Sequence, residues 1–316
     1  MTPKIDTHQH CFPQPYLDAI ELSTRSSQIP GGQIPEWSPE RAIAMMDENG
    51  IAEGILSVLC PPVSLAPRVP RLCNDAVAEL GQRYPRRFGS FASLPIPDIE
   101  ASLDEIGYAL DTLGAQGFIV YPSYEGRYLG DPLFAPLLEE LNRRKAIVFV
   151  HPRSPPYPDL PIASPSVIEF PFETTRAAVS LILSGAMARY PGIKFILSHA
   201  GGTLPYLLPR LAISVSMMRN AGIEAGDPAA AMRAFYFDTA LSTSAAVLTM
   251  LASVADPGHI LFGSDFPMAP DFAIRDYGPV LDNVEAVGLD RYAIFRGNAE
   301  RLLGRTEADR DSRGIE

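Results

Sequence analysis

Eight short apolar runs, rich in β-branched and aromatic residues, recur along this chain at residues 4–8, 54–59, 88–94, 117–120, 147–151, 195–199, 235–238 and 260–265. Runs that stay apolar from end to end, rather than alternating, belong in sheets buried on both faces. Amphipathic stretches at residues 39–49, 75–84, 99–113, 132–144, 172–190 and 244–254 lie between them, several opened by Asp, Ser or Pro, the residues that start helices. Repeated strand–helix units build a parallel sheet, and eight of them close into a (β/α)8 barrel of the TIM type, an α/β fold.

The remaining composition narrows the function. At 316 residues, 47% apolar and 20% charged, the chain has ample material for one large core and is far from the composition of disordered proteins. We expect one barrel domain over residues 1–304 and a charged, disordered tail over 305–316. Acidic residues outnumber basic ones, 37 to 26, for a net charge of −11, and no basic run interrupts the sequence, so nucleic acid is not an expected partner. Three widely spaced cysteines, Cys11, Cys60 and Cys73, do not make a disulfide framework and fit a reducing compartment. No apolar run approaches the ~20 residues of a membrane span, and the first strand begins within four residues of the start. A soluble, cytoplasmic protein without membrane contact is the expectation. Irregular stretches at 23–37, after the fourth strand and after His151 leave the C-terminal face, where barrel active sites lie, and are candidate substrate covers or dimer contacts.

The chain has five histidines, and four of them stand at or near the ends of apolar runs: His8 and His10 in KIDTHQH, His151 in AIVFVH and His199 in IKFILSH. A further run, HILFGSD, ends in Asp265. The H-x-H pair projects two imidazoles to one side of a strand, a ready chelate. His151 and Asp265 would complete four ligands around one divalent ion, with His199 nearby. H-x-H alone is a weak signal; its recurrence with His and Asp on separate strand ends is a strong one. Asp6 reads as a brace for the backbone, Cys11 as a packing residue, and His259, at the opposite end of the barrel, as a surface or capping group. Asp238, closing the seventh run, either braces the structure or orients a ligand imidazole. Gly201 and Gly202 after His199 set a tight turn at the pocket floor.

Taken together, the segments IDTHQHCFP, WSPERAIAMMDENGI, VHP, RYPGIKFILSHAGG and FGSDFP, spread from Ile5 to about Leu303, resemble the amidohydrolase superfamily, a group of metal-dependent hydrolase-like barrels, and specifically its decarboxylase branch typified by aminocarboxymuconate semialdehyde decarboxylase. Within that branch, EFPFETTRAAVSLILSG running into RYPGIKFILSHAGGTLPYL looks most like the 6-methylsalicylate decarboxylases. The resemblance implies one Zn2+ per chain, or Mn2+ in its place, held by His8, His10, His151 and Asp265, with His199 beside the metal and active in proton transfer. It also implies a homodimer. A single ion agrees with the lysines: Lys4, Lys145 and Lys194 are the only three, and none ends a strand to bridge two metals. In the muconate branch an arginine on the first barrel helix binds a substrate carboxylate; Arg41 sits one position from the corresponding place, and Arg176 and Arg210 are further candidates.

The expected activity is therefore release of CO2 from a small aromatic carboxylate, an ortho-hydroxybenzoate such as 6-methylsalicylate. His199 and Asp265 are the candidate proton donors, and Phe12, Tyr16, Phe170 and Phe172 are candidate pocket aromatics that exclude water. The same ligands would support a different reaction, mononuclear metal-assisted hydrolysis of a lactone or cyclic amide, which is told apart by its product. A non-catalytic metal scaffold would need a closed site with no open position.

Overall fold

Every strand of the barrel is buried along nearly its whole length, as the unbroken apolar runs require. The computed structural model describes residues 2–22, 34–59, 68–154, 164–281 and 284–305. The barrel strands are β1 (Lys4–His10), β2 (Ile51–Ser57), β3 (Phe88–Ser93), β4 (Gly117–Val120), β5 (Ile147–Val150), β6 (Lys194–Leu197), β7 (Tyr236–Asp238) and β8 (Ile260–Leu261). They pair in parallel in chain order, β1 next to β2 through to β7 next to β8. The ring closes where the stretch after β8 returns to β1: Thr7 N donates to Phe262 O, Asp265 N to His8 O and His10 N to Phe266 O. The protein is a (β/α)8 barrel. A two-stranded hairpin, Ser123–Tyr124 with Arg127–Tyr128, stands outside the ring after β4.

The outer helices are α1 (Gln14–Leu22), α2 (Pro39–Glu48), α3 (Arg68–Arg83), α4 (Ile99–Asp111), α5 (Ala135–Arg143), α6 (Glu169–Leu183), α7 (Ala186–Arg189), α8 (Leu204–Asn220), α9 (Pro228–Ala234), α10 (Ala245–Val254), α11 (Asp271–Leu281) and α12 (Asn298–Leu302). Several begin on side-chain caps that satisfy otherwise orphaned amides: Ser38 accepts from Arg41 N, Asp98 from Ala101 N and Ser244 from Val247 N. A buried polar clasp ties α3 to the barrel and to α4, since Asn74 exchanges bonds with the Ser93 backbone and donates to Glu105. No described helix is long and apolar enough to cross a membrane.

The structure corrects several expected boundaries. One helix over 172–190 is instead α6 and α7, divided at Gly185, whose φ of 74° is the left-handed conformation that ends helices. The helix expected from residue 75 starts at Arg68. The expected strands 147–151, 195–199 and 260–265 stop short of His151, His199 and Asp265; His151 still donates its amide to Val120 O, whereas His199 and Asp265 turn with φ of 55° and 60°. Cys60, most of the 23–37 stretch, the middle of the Pro-rich loop after His151 and the tail from 306 lie outside the described residues.

Phe118 on β4 is fully buried between Ala92 of β3 and Val148 of β5. Phe118→Ala is expected to lower stability by about 3–5 kcal/mol, read as a lower urea midpoint.

Candidate metal centre and active site

The C-terminal end of β1 supplies two ligand atoms, and an irregularity in its pairing keeps Asp6 from joining them. Strict alternation would aim Asp6, His8 and His10 alike. The register against β2 shifts between Asp6 and Gln9, and Asp6 turns away. Its carboxylate accepts from His8 N, from Gln9 Nε2 and from both the backbone amide and the hydroxyl of Ser264, so it knits β1 to the end of β8. Burial pushes this carboxyl up to about 6 against those bonds. Gly263 makes room for the join: a Cβ there would stand 2.8 Å from His8 Cβ and 3.1 Å from that of Asp238.

The hydrogen bonds fix which nitrogen of each ligand imidazole carries its proton. His8 Nδ1 lies 2.9 Å from Asp238 Oδ2, and His151 Nδ1 lies 2.8 Å from the Pro152 carbonyl, so both must donate. His10 Nδ1 lies 2.9 Å from Ser57 Oγ, whose own proton goes to Gln9 O, so His10 donates as well. In the neutral rings each Nε2 is then a bare lone pair, and these nitrogens lie close together: His8 to His10 is 3.1 Å and His10 to His151 is 3.2 Å. Asp265 Oδ1 completes the group, 3.1 Å from His8 Nε2 and 3.2 Å from His10 Nε2. Lone pairs facing lone pairs repel unless a cation lies between them, and such spacings suit nitrogen and oxygen ligands about 2.0–2.2 Å from one ion. All four ligand atoms lie within 4.8 Å of one another and all four residues are buried, so this donor set fits a single divalent metal.

Electrostatics point the same way. Burial removes charge from imidazoles, and it lowers His10 and drives His151 well below the usual range. At His8 burial is overcome by the Asp238 and Asp265 carboxylates, which raise it to about 10. Burial opposes the charge on Asp265, yet His8 and the neighbouring His10 and His199 hold its carboxyl well below the ordinary value. One positive charge is wanted among these atoms, from a proton or a metal.

Asp238 is a brace at the centre of this arrangement. Besides His8, its Oδ1 accepts from the backbone amides of His199 and Ala240, so one carboxylate aims a ligand imidazole and holds the turn that presents His199. His199 Nε2 is 3.5 Å from Asp265 Oδ2, and neither of its ring nitrogens has a hydrogen-bond partner among the described residues.

His151, His199 and Asp265 open onto a cavity of about 560 Å³, while His8 and His10 lie sealed beneath it. Its walls are mostly apolar, including Tyr16, Phe170, Val167 and Met268. The structure brings Tyr16 and Phe170 to the cavity. Phe12 is stacked at 5.6 Å behind Tyr16, and Phe172 is 42% exposed outside the wall. Arg41, Arg176 and Arg210 also lie on exposed helix faces outside the lining: Arg41 meets Glu36 at 3.5 Å and Arg176 meets Glu173 at 3.8 Å. His259 stacks on Tyr236 before β8, and Lys194 donates to Leu302 O, both remote from the cluster. Two participants escaped the sequence reading. Ser57 carries no signal of its own, but Arg153, which lines the cavity, stands two residues past His151 in VHPRS.

Comparison with known proteins agrees with this geometry. An amidohydrolase family profile matches residues 5–305. A decarboxylase macB from Penicillium terrestre is 39% identical, covering 96% of this chain and 95% of that protein. A 6-methylsalicylic acid decarboxylase from Penicillium expansum is 38% identical over 96% of both chains. Among solved structures, a dihydroxybenzoic acid decarboxylase from Polaromonas sp. JS666, with bound manganese and the inhibitor 2-nitroresorcinol, superposes with a TM-score of 0.78 at 26% identity, covering 97% of this chain and 99% of that one.

Asp238→Ala would leave His8 Nδ1 without its acceptor and is expected to weaken metal affinity about 10- to 100-fold, measured by competition with a chromophoric chelator. His8→Ala should abolish binding outright in the same assay, whereas His199→Ala should retain the metal and lose turnover. Loss of metal from the His199 variant would make that residue a ligand.

Proposed function

This chain belongs to the amidohydrolase family, and we propose that within it the protein is a metal-dependent, non-oxidative decarboxylase releasing CO2 from an ortho-hydroxybenzoate such as 6-methylsalicylate. The observation that carries this reading is a cation-binding floor opening into a mostly apolar cavity of about 560 Å³, a size suited to one substituted aromatic ring. The names of the Penicillium relatives support the reaction and the substrate class. Three imidazoles and a carboxylate suit zinc, and the manganese of the Polaromonas relative supports manganese equally; one ion per chain is proposed.

His8, His10, His151 and Asp265 would hold a divalent ion, which would supply a Lewis acid for substrate oxygens at the floor of the cavity. The chain's own residues do the rest. Loss of CO2 from an unassisted aryl acid would leave a bare aryl anion. A proton added first to the ring carbon bearing the carboxylate avoids this; the carbon–carbon bond then breaks, its electron pair restores the aromatic ring, and CO2 departs. We assign delivery of that proton to His199 and Asp265: His199 Nε2 faces Asp265 Oδ2 at 3.5 Å and both line the cavity, and because the Asp265 carboxyl is held well below its ordinary value it acts by relaying a proton rather than by storing one. Tyr16 and Phe170 hold the ring and keep water from the reacting carbon.

A homodimer in a reducing cytoplasm belongs to the same proposal. On α8, Tyr206, Ile213 and Met217 recur at helical spacing and are 65–73% exposed, an apolar stripe suited to a second subunit. Cys11 and Cys73 are both buried.

Metal analysis of the purified protein, with CO2 release from 6-methylsalicylate, tests the reading. About one zinc or manganese per chain with CO2 evolution is expected, and chelation should stop it. Metal with no CO2, but ring opening of a lactone or cyclic amide, would replace the proposal with hydrolysis.

A further inference from the structure

The cavity contains a permanent cation that the reaction as described does not use. Arg153 lines it on the loop after β5, two residues beyond His151. Its guanidinium carbon sits 4.9 Å from the centre of the Tyr121 ring and 5.5 Å from that of Tyr124. Both rings are anchored: Tyr121 and Tyr124 are each 2% exposed, and the Tyr124 hydroxyl accepts from Tyr121 N at 2.9 Å. Aromatic faces attract the cation and hold a long, flexible side chain in place without spending its hydrogen-bond donors. No ion pair with a carboxylate is made by Arg153 among the described residues. A half-buried guanidinium in a mainly apolar cavity, paired with no carboxylate among the described residues, is suited to an anion from outside the protein.

We propose that Arg153 is the anion anchor of this site, a specificity-determining residue that binds the carboxylate of an incoming aromatic acid. It is the sole arginine or lysine among the described lining residues, so apart from the metal site no other fixed cation there would partner a carboxylate held against Val167, Phe170 or Met268. Because the carboxylate leaves as neutral CO2, the anchor grips substrate and releases its hold as the product forms. Its contribution therefore falls mainly on KM rather than kcat. The identity of the anion rests on the decarboxylase reading; the presence of an anion anchor does not.

The test uses the metal-loaded protein and 2-methylbenzoate, a monoanion that lacks the ortho hydroxyl, against its neutral amide, with affinities from ligand-observed NMR titration. Arg153→Gln is expected to weaken 2-methylbenzoate about 10- to 100-fold and leave the amide unchanged, with Arg153→Lys between, because an ammonium keeps the charge but not the planar fork. With 6-methylsalicylate, Arg153→Gln should raise KM by a similar factor and change kcat far less. Unchanged acid binding in Arg153→Gln, or equal loss of acid and amide, overturns the anchor. A wild-type protein that binds the acid through Arg153 yet evolves no CO2 would overturn the decarboxylase reading alone.

Discussion

Three imidazole nitrogens that, in the neutral rings, can only accept hydrogen bonds, gathered beside a carboxylate in a buried place, form an arrangement that repels itself unless a positive charge is supplied. Most of the C-terminal end of the barrel is organised to hold it. Asp238, the Pro152 carbonyl and Ser57 each take the outward-facing proton of one ligand imidazole and so turn its lone pair inward. Asp6 binds the end of β8 to β1, and Gly263 lets the two approach. Removing any of these supports acts on the metal through orientation, not through direct contact.

Around that centre the backbone adopts conformations that most side chains avoid. His199, Ala200, Leu241 and Asp265 all have positive φ, at 53–60°, and all follow the last three strands of the ring. Left-handed residues other than glycine cost energy and persist where the surroundings hold them. At His199 the holding group is again Asp238, through the backbone amide, so the ligand cage and the His199 turn share one brace. Above the polar floor the cavity turns apolar, with Arg153 spread on two tyrosines as the one basic side chain among its described lining residues. The division suits a planar aromatic acid: charged groups at one end, hydrocarbon elsewhere.

Much of this was legible in the chain. Long apolar runs must be buried on both faces, and eight of them separated by helices leave the barrel as the natural solution. Histidines and an aspartate at the ends of those runs must then meet at one mouth, so His8, His10, His151 and Asp265 could be placed together without coordinates. Less visible were α8, α9, α11 and α12; α8 leaves Tyr206, Ile213 and Met217 exposed, which blurs its apolar periodicity. The arginines on α2, α6 and α8 could be counted as candidates, but helix phase against the barrel decides which face reaches the cavity, and Arg41, Arg176 and Arg210 face solvent.

The sequence by itself determined the barrel and the ligand set, because strand-end position is a property of local pattern and a closed ring admits one place for strand ends to converge. Tertiary structure alone decided the rest. The register shift that turns Asp6 away, the choice of Ser57 and Asp238 as proton acceptors, and the seating of Arg153 on Tyr121 and Tyr124 depend on distances between segments far apart in the chain. Such distances are set by how neighbouring strands are staggered and how their loops pack, information that no local pattern of residues carries.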